Sequence, residues 1–157
     1  MIAPTKVTLA PVTKANWRAA MSLRVTPEQL PFVADYQPVA AIALAKAHVG
    51  AMDHAWSPLL ILNAATPVGF LALTHPDCDP TQAWLFHFFI DHRHQRQGHA
   101  RAAMHETIAL LRTRRDTRLN LLVNPANTSA LALYRSLGLA PTGRDVEGDI
   151  EFALSLA

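Results

Sequence analysis

Cysteine is all but missing from this chain. Cys78 is the only one, so no disulfide can close within it, and a small fold stapled by cross-links is excluded. A reducing, cytoplasmic setting is the expectation. Charge is sparse too. Only 17% of residues are charged and their formal balance is +2, too slight an excess to mark a nucleic-acid binder. No apolar run approaches the roughly 20 residues of a membrane-crossing helix. The opening Met1-Ile-Ala-Pro-Thr-Lys6 has none of the apolar stretch of a signal peptide. Neither a membrane nor a nucleic-acid partner is therefore expected. What is present is a globular composition: half of the 157 residues are hydrophobic, enough to bury a core as a single domain over residues 1–157.

Breakers and periodicity divide the chain into short elements. Val7–Pro11 alternates as a strand. Thr13 can cap a helix through Trp17 to Leu23, and Thr26-Pro27-Glu28-Gln29 has the form of a second helix start. Pro38 opens an alanine-rich helix that Gly50 ends. Pro58–Asn63 and Val68–His75 read as an antiparallel hairpin, followed by a strand at Trp84–Ile90 and a helix from Gly98 to about Arg114. Leu119–Asn124 is another strand, and a helix capped by Asn127 or Thr128 runs to Leu137, with Gly138 beyond it. Strands at Leu139–Arg144 and Asp149–Leu156 close the chain. This order predicts an α/β (α+β) architecture, a mixed, mostly antiparallel sheet with helices on both faces.

Two stretches carry chemistry. In the first, the Trp84–Ile90 strand passes through a polar run into Gln95-Arg96-Gln97-Gly98-His99-Ala100-Arg101 and a helix. The first N–H groups of a helix lack intrahelical partners and carry the positive end of its dipole. With Gly98 allowing close approach and Arg93, Arg96 and Arg101 around the turn, the junction suits a pyrophosphate. In the second, Asn127, Ala130, Tyr134 and Leu137 lie three or four residues apart and share one helical face. A capping asparagine and a packed aromatic would account for that face equally well. The arginines at 112, 114, 115 and 118 fall where the preceding helix ends, and complementing its dipole explains them.

Gln95-x-x-Gly98-x-Ala100 resembles the Q/R-x-x-G-x-G/A signature of the GNAT acetyltransferase superfamily. Asn127-x-x-Ala130-x-x-x-Tyr134-x-x-x-Gly138-Leu139 resembles a second pattern of that family, with leucine where phenylalanine is frequent. The resemblance covers nearly the whole chain and implies a GNAT acyl-CoA N-acyltransferase fold. It implies acetyl-CoA as cosubstrate, with its pyrophosphate on residues 95–101 and its pantetheine arm beside Asn127, Ala130 and the backbone of Phe89 and Ile90. Tyr134 would then be the general acid toward the departing thiolate. The acceptor would be a small-molecule primary amine, which must lose a proton before it attacks.

His87 has a pKa range suited to taking that proton, although a hydrogen-bonded core or rim histidine is the more ordinary reading of it. Glu28 and Asp149 are the rivals for contacting the acceptor. Thr13–Trp17, Glu28-Gln29-x-x-Phe32-Val33, Val68-Gly69-Phe70 and Glu147–Ile150 look like the bacterial spermine/spermidine (diamine) acetyltransferase branch. The chain departs from that branch in lacking serine within Val39-Ala40-Ala41 and in being basic. Polyamine is thus the leading acceptor. Another small amine, a protein amino group, or a non-catalytic acyl-CoA-binding module are the alternatives. A homodimer is allowed by this reading. His92, His94 and His99 have no spacing that converges them on a metal, and none is expected.

Overall fold

The computed structural model describes residues 5–157, so Met1–Pro4 of the opening stretch read above lie outside it. Among the described residues the strands are β1 (Thr8–Pro11), β2 (His54–Asn63), β3 (Thr66–Pro76), β4 (Gln82–Ile90), β5 (Arg118–Val123), β6 (Ala140–Val146) and β7 (Asp149–Ser155). The helices are α1 (Trp17–Ser22), α2 (Val39–Val49), α3 (His99–Thr113) and α4 (Thr128–Ser136). The strands form one sheet in the order β1-β2-β3-β4-β5-β7-β6. The β4–β5 pair is parallel and its neighbours are antiparallel. This is the mixed, mostly antiparallel sheet that the order of elements predicts.

Two apolar clusters flank the sheet. On one face α1 and α2 bury Ala20, Val39, Ala40 and Ala43 against Leu60, Phe70 and Phe89. Small side chains along α2 let its backbone come close to the strands. On the other face, α3 presents Ala103, Met104, Ile108 and Leu111, and α4 adds Tyr134. Met104 and Leu111 are fully buried, each worth about 1.5–3 kcal/mol of hydrophobic stabilisation.

Three local expectations change. The helix start at Thr26 becomes a turn followed by a 3₁₀ turn at Leu30–Phe32. Gln29 turns its side chain back to accept from the Thr26 N–H at 3.3 Å, and Pro31, having no N–H, cannot extend the ladder. At α1 the helix begins after Asn16, not Thr13. Asn16 accepts from the Thr13 N–H at 2.7 Å and donates to the Pro11 carbonyl at 3.0 Å, tying the helix to the end of β1. In the hairpin, β2 begins four residues before Pro58. Pro58 is tolerated because β1 ends opposite Leu59, so the missing N–H faces no strand.

The feature that positions the site is where β4 and β5 part. They pair only from Gln82↔Arg118 to Leu85↔Leu121. Beyond Leu85, β4 keeps β3 as its partner, but through a bulge: Phe70 lies opposite Phe89, and Ala72 opposite Phe86. Three steps along β4 thus match two along β3, with His87 at φ +54° taking up the extra residue. Main-chain groups of Phe86–Ile90 that face away from β3 therefore have no strand to bond.

Candidate active site

The parted strand ends open into a cavity of about 710 Å³. Its walls are Leu85–Ile90 of β4, Leu121–Val123 of β5, the segment Gln29–Asp35, and the first turns of α3 and α4. Tyr134, His87, Phe89, Ile90, Gln95, Arg96, Gly98, His99, Ala100, Arg101, Asn127, Ala130 and Asp149 all line it. The two stretches singled out in the sequence therefore meet at one opening. Two expected residues do not reach it. Gln97 is exposed and its carbonyl accepts from the Thr5 hydroxyl at 2.8 Å. Glu28 is exposed, on the turn before the 3₁₀ turn at Leu30–Phe32, and is not among the residues that line the cavity.

At the start of α3, Arg96 (φ +62°) and Gly98 (φ +82°) adopt left-handed backbone. A Cβ on Gly98 would come within 3.0 Å of the Thr5 hydroxyl oxygen, so space as well as conformation favours glycine there. The first helical bond runs from the Ala102 N–H to the Gly98 carbonyl. The N–H groups of His99, Ala100 and Arg101 lie ahead of it, at the positive end of a 15-residue helix. Arg96 and Arg101 stand beside them, whereas Arg93 is committed elsewhere: its Nε donates to Asp91 at 2.8 Å. A diphosphate group matches this donor set. His99 is buried, and neither ring nitrogen has a hydrogen-bond partner among the described residues. Burial, and then the neighbouring His94, holds its pKa below the ordinary histidine value.

Across the opening, Asn127 caps α4 by accepting from the Ala130 N–H through Oδ1 at 3.4 Å. Tyr134 sits one turn further on, only 8% exposed. Burial pushes its hydroxyl pKa well above the usual phenol value, so it remains a proton donor at neutral pH.

His87 reaches the cavity with both nitrogens engaged. Nδ1 pairs with the Val33 carbonyl at 2.8 Å, and Nε2 with Lys46 Nζ at 2.9 Å. A carbonyl can only accept, so the hydrogen sits on Nδ1, and Nε2 accepts from Lys46. Burial lowers the pKa of His87; the hydrogen bond to the Val33 carbonyl opposes this, the Lys46 charge adds to it, and Asp35 opposes it in turn. Burial also depresses Lys46 itself, opposed by Asp35. Lys46 rides 5.4 Å from the centre of the Trp56 ring. No sequence motif announces Lys46. The available signal is a lysine that, with His48, is one of two polar residues in an alanine-rich helix, 41 residues before its partner.

Gln29, named in the sequence only as part of two motifs, has a contact that neither motif announces. Its carboxamide exchanges two hydrogen bonds with that of Gln95, each 2.9 Å. Among the described residues, no group of three or more metal-ligating side chains occurs, and no helix is long and apolar enough to cross a membrane.

Residues 17–139 match the model of the acetyltransferase (GNAT) family. Over 77 residues, the chain is 34% identical to N-acetyltransferase 8 of Homo sapiens, a match that covers 49% of this chain and only 34% of the human protein. Among solved structures, a spermidine N-acetyltransferase from Vibrio cholerae, determined with CoA and spermine, superposes with a TM-score of 0.76. It is 17% identical, with 96% of each chain covered. The ribosomal-protein-S18-alanine N-acetyltransferase from Escherichia coli superposes with a TM-score of 0.69 at 21% identity, covering 96% of this chain and 94% of the other. At those identities the likeness is one of fold.

Proposed function

The chain belongs to the acetyltransferase (GNAT) family, and on that premise we propose that it moves an acetyl group from acetyl-CoA directly to a primary amine. One observation carries the reading. The unpaired N–H groups at the start of α3 and the buried, protonated Tyr134 line a single cavity where β4 and β5 separate. The donor set fits the coenzyme: His99, Ala100 and Arg101 N–H groups with Arg96 for the diphosphate, and Asn127, Ala130 and the free edge of β4 for the arm. The coenzyme supplies an activated thioester. Tyr134 holds the proton that the thiolate needs. Main-chain N–H groups of β4 left without a strand partner where β5 diverges suit negative charge developing on the carbonyl oxygen. Residues 1–157 act as one domain in this proposal, since the strands, helices and the segment Gln29–Asp35 that wall the cavity all belong to, or pack on, the one sheet.

For the base we assign His87. It takes a proton only at Nε2, so the Lys46 contact must yield as the proton arrives. Asp149, which lines the cavity, pairs with a cationic part of the acceptor.

Polyamine is the acceptor suggested by the Vibrio cholerae neighbour solved with spermine. A second reading has its own support. The acceptor side is walled by Pro31, Phe32, Val33 and Phe86, with Asp35 and Asp149 as its carboxylates and Glu28 outside the lining. A monoamine with an apolar body fits those walls better than a chain of ammonium groups. Thiol release from acetyl-CoA across a panel of spermidine, an arylalkyl monoamine and a short peptide with a free N-terminus separates the two. Preference for spermidine supports the polyamine reading, and preference for the arylalkyl amine supports the apolar one. Coenzyme binding without turnover on any amine would overturn the transferase proposal in favour of a binding module.

A further inference from the structure

We propose that Gln29 is a positioning residue for the coenzyme site, coupling the acceptor-side segment to the phosphate loop through its amide pair with Gln95. The inference rests on the coenzyme reading above.

The segment from Thr26 to Gln37 contains no strand and no α-helix, only the 3₁₀ turn at Leu30–Phe32. Its main-chain bonds are internal, and just ahead of it the Arg24 carbonyl accepts from the His92 N–H at 2.8 Å, so beyond that anchor its placement depends on side-chain contacts. At its base, Gln37 accepts from the Val25 N–H at 3.0 Å and donates to the Val25 carbonyl at 3.2 Å. Further along, the Val33 carbonyl accepts from His87 at 2.8 Å. At its front stands Gln29.

The Gln29–Gln95 contact is reciprocal. Each Nε2 donates to the other's Oε1, both at 2.9 Å. Gln95 also donates from Nε2 to the carbonyl of Ile90, the last residue of β4, at 2.9 Å. Both hydrogens on that nitrogen are thus committed, and the carboxamide is fixed between the end of β4 and the acceptor segment. Gln95 opens the loop that ends on the free N–H groups of His99, Ala100 and Arg101. Between them lie Arg96 and Gly98 in left-handed backbone, which tolerates little reorientation. Among the described residues, this amide pair supplies the hydrogen bonds between the segment 26–37 and the loop 91–98. Gln29 thus acts on the diphosphate donors through Gln95, while its own segment walls the acceptor side.

Titration of coenzyme A into four purified chains tests this: unaltered, Gln29→Leu, Gln95→Leu and the double variant. Removing Gln29 strands a half-buried carboxamide, so Gln29→Leu should raise the coenzyme Kd by about five- to tenfold. The double variant should bind no more weakly than Gln95→Leu alone, because the partner through which Gln29 acts is gone. Gln29→Asn, one methylene too short to close the pair, should shift Kd in the same direction and serves if the leucine variant folds poorly. The proposal is overturned if both Gln29 variants keep coenzyme Kd within about twofold of the unaltered chain while raising only the acceptor KM, or if the two leucine effects simply add. Absence of coenzyme binding by the unaltered chain would instead overturn the coenzyme reading, and the coupling with it.

Discussion

At Tyr134, burial both keeps the hydroxyl protonated and fixes the ring on the wall shared with Asn127 and Ala130. Tyr134→Phe keeps the ring and deletes the proton. It should lower kcat for acetyl transfer by on the order of a hundredfold with coenzyme affinity retained, read by thiol release and by titration. A near-normal kcat would remove the acid role. For His87 the prediction concerns pH. Its folded pKa lies below the ordinary 6.5, so the neutral form persists to lower pH than a solvated histidine would allow. The rate should therefore fall only as pH drops below that value. Lys46→Met removes a positive charge that disfavours protonated His87, so the acid limb of the kcat/KM profile should move to higher pH. An unmoved limb, or one displaced to lower pH, would show that His87 does not set it.

The elements are held in register around the site by a few side-chain ties, and Asp91 is the principal one. Its side chain is fully buried just past β4, accepting from the Arg24 N–H at 2.9 Å and from the Arg93 N–H and Nε at 3.0 and 2.8 Å. Burial alone would raise its pKa, but the hydrogen bonds from Arg93 and Arg24 outweigh it and hold the group at about 2. The folded value lies below the ordinary 3.8 of an aspartate, so this stabilisation is present above that pH and lost as pH falls toward 2. Asp91→Ala should cost about 1–3 kcal/mol in urea unfolding at neutral pH, and the gap from the unaltered chain should narrow in acid. A gap independent of pH would mean that the carboxylate is not the source.

The strands, α2 to α4, Gly98 and the Asn127 cap were legible in the sequence because each depends on residues within a turn or two. Gln29, Lys46 and the tie at Asp91 were not. Their partners lie 66, 41 and 67 residues away, and no local pattern encodes such contacts. The helix start at Thr26 misled for a related reason: a cap followed by proline favours a first turn, but Gln29 and Pro31 stop it there.

At the scale of the whole molecule, the site lies where the sheet stops being continuous, with α3 and α4 supplying the walls on one side and the segment before α2 on the other. The net charge of +2 conceals a separation. Among the cavity's lining residues, Arg96 and Arg101 come from the loop and first turn of α3, while Asp35 and Asp149 come from the segment before α2 and from β7. At the opposite end of the sheet, His75 and Asp116 form a buried pair at 3.1 Å that takes no part in the cavity. The most direct test is to follow backbone amide resonances as acetyl-CoA is added. The prediction is that His99, Ala100 and Arg101 shift together with the start of α4 and Phe89–Ile90, saturating along one binding curve, while amides around His75 and Asp116 stay in place. Shifts gathered at that far end, or none at saturating coenzyme, would contradict the assignment of this cleft.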